Sequence, residues 1–408
     1  MTDVLKPRDA KDVTAALEWA LAEGKTLEIV GQGSKRTIGR AAQWDLTLDL
    51  SNISGVTLYE PEELVLSAKA GTPLSEIDAL IGQRGQELAF EPMDYGPICG
   101  LVAGKGTLGG ALATNLSGPR RIKAGAARDH FLGVTAVSGR AELFKSGGRV
   151  VKNVTGYDLC KVLAGSWGTL AAMTDVTIKV LPRAETQETL LVFGLPPRAA
   201  VRAIADALGA PADVSGAAHL PEAIAPKVAG GAAQGRAVTA LRLEGVAPSV
   251  AARRTLLEGL LKSYGESVAI GDAASHALWR AIRDVTPFAA EPNLPARPLW
   301  RISTAPMAAP EIAERILEKA RADMLYDWAG GLLWVCLAET ADARAKLVRR
   351  VVTAAGGHAT LVRSQAAVRA SADIFSPQDR AVASLTRRLK ASFDPKGVLG
   401  PGRMYAGV

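Results

Sequence analysis

Two glycine-rich segments, Gly31-Gln-Gly-Ser-Lys-Arg36 and Gly106-Thr-Leu-Gly-Gly-Ala-Leu-Ala-Thr-Asn115, carry the residue types from which a diphosphate cradle is built. Glycine lets successive backbone N–H groups turn toward one point, and such a nest holds an anion. Around Gly31, Gln32 and Gly33, the Ser34 hydroxyl and the Lys35 ammonium would add further contacts to phosphate oxygens. A plain strand-to-loop turn asks for the same spacing. In the second segment a glycine loop enters a helix, and helix N-termini favour anions. Thr107, Gly109 and Gly110 are the candidate pyrophosphate contacts there, and Ser117-Gly118 continues a surface of close approach. Close helix–strand packing is the alternative use of those glycines.

Standard nucleotide fingerprints do not fit. Gly104-Lys-Gly-Thr-Leu-Gly109 has the Gly-x-Gly-x-x-Gly spacing, but Pro97 and Gly100 break the strand that a Rossmann turn needs before it. A Walker A loop fails because Gly106 stands where Ser or Thr must ligate magnesium. No Gly-x-Ser-x-Gly elbow or pair of carboxylates supports hydrolysis. The histidines, His130, His219, His276 and His358, show no metal spacing. Cys99, Cys160 and Cys336 are too dispersed for an iron–sulfur cluster or a cysteine zinc site.

The elements that must position these loops follow from periodicity. Ala10–Glu23 reads as an amphipathic helix, with strands at Thr26–Val30 and Leu46–Leu50. Further strands are expected at 56–59, 64–70, 132–137 and 170–181, with a hairpin over 143–150 that turns at Ser146-Gly147-Gly148. A helix is expected over Pro73–Ile81 and another from Gly109 to Asn115. Pro182 ends the strand pattern and suggests a domain boundary. Beyond it, strands at 189–193, 237–243, 299–303 and 332–337 alternate with helices at 197–208, 248–264, 310–322 and 341–355, as in an α+β domain covered on one face. The Ala/Gly-rich stretch 209–235 reads as an irregular connection, and 377–389 as a helix before a C-terminal loop. The expected division is 1–182, 183–375 and a returning segment 376–408.

Composition narrows the partners. With 48% hydrophobic and 22% charged residues the 408-residue chain reads as an ordinary globular protein of two or three domains. Its net charge of +7 is scattered, without a basic stripe interleaved with aromatics, which argues against nucleic acid and for an acidic protein partner or anionic substrate. No apolar leader or membrane-length run is present, and the odd cysteine count suggests a reducing compartment. A cytoplasmic protein is expected, peripheral to a membrane only through partners.

Taken in order, the motifs resemble the flavoenzymes of the vanillyl-alcohol oxidase and p-cresol methylhydroxylase type. Gly31-Gln-Gly-Ser-Lys is similar to that family's first pyrophosphate loop, and Thr107-Leu-Gly-Gly-Ala-Leu-Ala-Thr-Asn to its second, which includes Thr114. Gly125-Ala-Ala-Arg-Asp-His-Phe-Leu-Gly133, Val151-Lys-Asn-Val-Thr-Gly-Tyr-Asp-Leu159, Gly165-Ser-Trp-Gly-Thr-Leu170 and Thr174-Asp-Val-Thr-Ile-Lys179 match its later segments. Asp394-Pro-Lys-Gly-Val-Leu-Gly-Pro-Gly-Arg403 resembles the C-terminal return to the flavin domain. The resemblance implies a two-subdomain FAD-binding domain with a ferredoxin-like α+β cap. It extends the candidate cofactor contacts to Gly125, Asp129, Gly165, Gly168, Thr169 and Val176.

A narrower resemblance, to the FAD-binding subunits of bacterial glycolate oxidases, rests on Pro298-Leu-Trp-Arg-Ile-Ser303, Asp327-Trp-Ala-Gly-Gly331 and Gly356-Gly-His-Ala-Thr-Leu361. It implies oxidation of a small 2-hydroxy acid such as glycolate. It also implies a complex with a second FAD-containing catalytic subunit and an iron–sulfur subunit. Catalytic relatives carry a cap histidine pair that holds a metal, which this chain lacks, so no metal ligands are assigned and a non-catalytic flavin-binding scaffold is the rival reading. No histidine suits covalent attachment, so non-covalent FAD is expected. Arg301 is the candidate partner of a substrate carboxylate, or else part of a structural ion pair. Tyr157 is expected near the flavin, or else as a packed aromatic.

Overall fold

The computed structural model describes residues 3–149, 156–291 and 297–408. Three β-sheets and a two-stranded pair, Gln86–Glu87 with Leu181–Pro182, account for the architecture of the described residues. The N-terminal strands Asp3–Leu5, Leu46–Asp49 and Leu27–Val30 form a small parallel sheet in that order. Helix Ala10–Ala22 covers it, burying Val13, Leu17 and Ala20, and its Asp9 cap accepts from the N–H groups of Lys11 and Asp12. The C-terminus returns to this unit: Leu27 N–H donates to Val398 O (2.8 Å) and Gly400 N–H to Leu27 O (2.8 Å).

The second sheet is antiparallel, in the order Val56–Glu60, Val65–Lys69, Ala171–Lys179, Phe131–Ser138, Leu143–Gly147. Helices Leu74–Gly82 and Leu108–Thr114 contribute Ile77, Ile81, Leu108 and Leu112 to its core. The hairpin expected to turn at residues 146–148 turns earlier, at Ser138–Glu142, where Ala141 N–H donates to Ser138 O and Ser138 N–H to Glu142 O. Ala141 takes φ 61°, and Leu143–Gly147 pairs back on Phe131–Ser138. Val150 and the first five residues of the Val151–Leu159 motif lie outside the described residues.

The third sheet has eight antiparallel strands and is a doubled unit. Thr186–Phe193, Gly216–Leu220, Val238–Gly245 and Ser267–Ile270, with helices Pro197–Gly209 and Ala247–Leu261, run β-α-β-β-α-β. Leu299–Ser303, Ala322–Asp327, Leu332–Leu337 and His358–Arg363, with helices Ala309–Leu317 and Ala345–Ala354, repeat the sequence. Each unit has the strand order fourth, first, third, second, and the two second strands meet at His219–Tyr326. The stretch 209–235, expected to be irregular, therefore supplies the strand that joins the halves. All five residues of Gly216–Leu220 are buried.

The four helices pack on one face of this sheet. The other face packs against helix Asp272–Arg283 and against the N-terminal part of the chain, through Leu299, Leu325, Trp334 and Val362 on the sheet and Ile38, Met93, Tyr95, Ile98 and Leu116 opposite. Buried charges cross the same seam. Arg242, 1% exposed, donates to Glu91 (2.8 and 3.1 Å), and Arg120 binds Glu87 and Glu244. Burial pushes the Glu91 carboxyl up, but Arg242 and Arg120 outweigh it and hold the group at about 2.

Candidate functional site

Strand Leu27–Val30 ends at Gly31, and the chain folds into successive turns over the next residues. The backbone N–H groups of Gln32, Gly33, Ser34 and Lys35 have no protein acceptor among the described residues. Gly33 sits at φ 76°, a conformation that opens the loop into a nest and that glycine adopts without strain. A Cβ on Gly31 would lie 2.6 Å from Thr107 Oγ1, so the loop needs glycine there to reach the second segment. Lys35 Nζ lies 3.1 Å from Ser34 Oγ and has no carboxylate within ion-pair distance among the described residues. Burial lowers its pKa to about 8. Free N–H groups beside an uncompensated cation form a site that an anion completes.

The second segment contributes differently from expectation. Thr107 caps helix Leu108–Thr114 by accepting from Gly110 N–H (3.2 Å). Leu108 N–H donates to Thr72 O (2.9 Å) and Gly109 N–H to Ala70 O (2.8 Å). These N–H groups are taken by protein, so the helix start is not an open anion site. Its glycines serve close approach: a Cβ on Gly109 would lie 2.7 Å from Ala70 Cβ. Thr107, Gly109, Gly110 and Thr114 instead line a cleft together with Gly31, Gln32, Gly33, Ser34 and Lys35.

Trp167, Gly168, Met173 and Arg403 also line that cleft, and of these only Gly168 was assigned as a cofactor contact from sequence. Trp167 is held at φ 55° by a bond from its N–H to Ala113 O (2.9 Å). Arg403 comes from the C-terminal return. Its guanidinium lies 3.8 Å from Glu28, which also accepts from Arg36 Nε (2.7 Å), and it donates to Lys35 O (3.4 Å). The return is fixed by Asp394, whose carboxylate accepts from Lys390 Nζ (2.7 Å) and from the N–H groups of Val398 and Leu399. The signal for Arg403 was present in the Asp394–Arg403 motif.

Directly after the cleft wall, Ser117 and Gly118 line a second, smaller cavity under the cap sheet, with Tyr95, Arg283, Arg301, Asp327 and Trp334. Arg301 makes no ion pair among the described residues and stacks on the Trp328 ring, 4.9 Å from its centroid. Trp328 Nε1 donates to Gly118 O (2.9 Å), tying the eight-stranded sheet to the loop that follows helix Leu108–Thr114. Gly125 and Asp129 line a surface groove beside Arg121 and Trp328, and Asp129 accepts from Ala126 N–H (2.8 Å).

Four expected contacts line none of these cavities. Gly165, at φ 87°, packs near Asn115. Thr169 is buried and its carbonyl accepts from Lys390 (2.7 Å). Val176 lies in the sheet core, paired with Ala68 and Val134. Tyr157 is 90% exposed and so is not the packed aromatic of the alternative reading. His219 is buried under the helices of the cap, on the sheet face away from the flavin loops, and burial lowers its pKa to about 4. Among the described residues no group of His, Cys, Asp and Glu has a metal-holding arrangement.

The orphaned N–H groups, the unpaired Lys35 and the glycine-lined walls fit the diphosphate of FAD, and the fold and cleft define an FAD-binding flavoprotein of the vanillyl-alcohol oxidase type. Residues 2–147 match the FAD binding domain family. The 4-ethylphenol oxidase of Gulosibacter chungangensis superposes with a TM-score of 0.69 at 12% identity, covering 99% of this chain and 89% of that one. The glycolate oxidase subunit GlcE of Escherichia coli (strain K12) is 34% identical over 388 residues, 95% of each chain. The glycolate oxidase subunit GlcD of Bacillus subtilis (strain 168) is 26% identical over 210 residues, 51% of this chain and 43% of that protein. The chain belongs to the family of the glycolate oxidase subunit GlcE, a family of FAD-linked oxidoreductases, and FAD is its cofactor.

Proposed function

We propose that this chain is the FAD-holding subunit of a glycolate oxidase complex, taking electrons from a small 2-hydroxy acid and handing them to an iron–sulfur subunit. The observation that carries the reading is a glycine-lined cleft with free N–H groups on one side of the chain's fold and Arg301, without an ion-pair partner among the described residues, in a separate cavity under the cap sheet. Residues 107–114 wall the cleft, and Ser117-Gly118, the next residues in the chain, line the cavity that holds Arg301. A guanidinium without a protein partner is suited to a substrate carboxylate. Bound there, FAD supplies a two-electron acceptor. The chain's residues fix the diphosphate through Gln32–Lys35, orient the carboxylate through Arg301 and exclude water by packing the cap sheet over Tyr95 and Leu116.

FAD is held non-covalently in this reading: among the described residues no His, Cys or Tyr lines the cleft of Gly31–Lys35 and Thr107–Thr114. The three cysteines are unpaired and dispersed, so electrons leave through another chain. The names of the similar GlcE and GlcD proteins, each a glycolate oxidase subunit, support a complex of several subunits, and in this reading the second one is the FAD-containing catalytic subunit. Among the described residues no helix is long and apolar enough to cross a membrane, which suits a cytoplasmic complex that meets a membrane only through partners. The test is anaerobic addition of glycolate to the purified chain carrying FAD. Bleaching of the flavin supports oxidation by this subunit, and bound flavin that stays oxidised supports the scaffold alternative. A chain that takes up no FAD overturns both.

A further inference from the structure

We propose that Asp327 accepts the hydroxyl proton of a 2-hydroxy carboxylate whose carboxylate group Arg301 holds in the cavity under the cap sheet. The inference rests on the reading above that this chain meets substrate. It assigns the proton-accepting role to a carboxylate in a cap that has no histidine pair.

Geometry carries it. Leu325 and Asp327 on one strand, Leu332 and Trp334 on the next, and Leu299 and Arg301 on the third all face the flavin loops. Asp327 is 3% exposed and lines the same cavity as Arg301. Its Oδ1 accepts from Trp328 N–H (2.7 Å), while Oδ2 has no donor among the described residues. Among the described residues no cation lies within ion-pair distance of it, so the Asp327 carboxylate and the partly buried Arg301 guanidinium line one cavity without pairing with each other.

The backbone that holds Asp327 is strained. Trp328, Ala329 and Gly330 take φ 51°, 59° and 97° in succession, a left-handed turn that non-glycine residues rarely enter. The turn presents Asp327 to the cavity and sends the Trp328 ring beneath Arg301 and Arg121, with its Nε1 on Gly118 O. Gly330 is required, since a Cβ there would lie 2.9 Å from Pro306 O.

The charged and titratable groups around Asp327 are Arg301 on the cap sheet, Arg242 across it, Glu91 on the flavin-loop side, and Arg283 and Tyr95 on the cavity wall. Burial pushes the Asp327 carboxyl up, Glu91 adds to this, and Arg242 and Arg301 oppose it, leaving the group at about 7. That is where a proton acceptor works best at neutral pH.

In the reaction the substrate O–H bond breaks and its proton passes to Asp327. The Cα–H bond breaks with its electron pair, which leaves as hydride to the bound flavin, the two-electron oxidant. A C=O bond forms and the product is the 2-oxo acid.

The experiment uses the full chain carrying FAD and titrates it with oxalate, an unreactive dicarboxylate, following the flavin absorption. Oxalate needs Asp327 protonated, so its affinity should fall about tenfold per pH unit above about 7. In D327N, which keeps the bond from Trp328 N–H, affinity should be flat with pH and within about threefold of wild type at pH 6. Glycolate should then reduce the flavin of the variant about 10²–10⁴-fold more slowly. A D327N protein that retains the pH dependence, or is reduced at the wild-type rate, sinks the assignment to Asp327 and leaves the substrate reading standing. Flat wild-type affinity from pH 6 to 8.5 does the same, and it decides the matter if D327N fails to hold FAD. A wild-type holoprotein that neither binds oxalate nor is reduced by any 2-hydroxy acid takes down both.

Discussion

Replacing Lys35 by Met should move stability and FAD affinity in opposite directions. The folded apoprotein holds the Lys35 ammonium beside Ser34 without a counter-charge, and burial lowers its pKa from 10.5 to about 8. At about 1.4 kcal/mol per pKa unit that is about 3 kcal/mol against folding, or about 1–2 kcal/mol after screening of a partly accessible side chain. The group is charged in both folded and unfolded chains below about pH 8, so the folded state bears the whole cost there. The cost fades between about pH 8 and 10.5, where only the unfolded chain keeps the proton. K35M removes it, so apoprotein stability measured by urea denaturation at pH 7 should rise by about 1–2 kcal/mol. With FAD the sign reverses. A charge-assisted contact to the diphosphate contributes about 1.5–3 kcal/mol, so K35M should weaken FAD binding by about 10- to 150-fold. Diphosphate binding restores the proton to Lys35, so wild-type affinity should be level below about pH 8 and fall above it, and K35M should lose that fall. Flavin fluorescence quenching on titration of apoprotein reads both. K35M that binds FAD within twofold of wild type with the same pH profile would refute the placement of Lys35 at the diphosphate.

Two further outcomes follow from the buried ion pairs. D394A leaves Lys390 buried without its partner and frees the N–H groups of Val398 and Leu399, so it should cost about 3–5 kcal/mol. It should expose the C-terminal segment to trypsin and, by releasing Arg403, weaken FAD retention. R242M strips Glu91 of its main cation and should destabilise the chain by a similar amount in thermal or urea unfolding at pH 7. In the wild type the depressed Glu91 carboxyl contributes about 3 kcal/mol above about pH 4.5, lost as pH falls toward about 2. R242M should show a shallower acid loss over that window.

The candidate diphosphate loop was readable in the chain because its requirement is local. Gly33 must take a positive φ and Gly31 must approach Thr107, and both constraints appear as glycine after an apolar strand. Contacts assigned by motif alone fared unevenly. Gly168 lines the cleft, whereas Val176 sits between two strands and Thr169 braces the C-terminal return. Motif membership marks a segment that lies near the cofactor, and alternation along a strand sends neighbouring side chains to opposite faces. Tyr157 shows the same limit at a loop, where nothing in the sequence fixes the direction of a side chain.

The doubled cap was hidden for a different reason. Gly216-Ala-Ala-His-Leu220 is an interior strand of small residues, buried on both faces, so it shows neither alternation nor β-branched enrichment. Ala322–Asp327 carries acidic residues at its second and last positions, which hide the strand, and the helix expected over 310–322 ends where it begins. These two strands are the ones that join the halves, and the second ends on Asp327. Joining by second strands puts both pairs of helices on one face and leaves an unbroken eight-stranded face for the flavin loops. The halves then divide the work. Arg242 and Glu244 of the first lock the sheet to Glu91 and Arg120, while Arg301, Asp327 and Trp334 of the second line the cavity. A duplicated scaffold with one anchored half and one half free of such pairs can present a buried carboxyl and an unpaired guanidinium at fixed positions. The ion pairs that hold the sheet in place are made elsewhere.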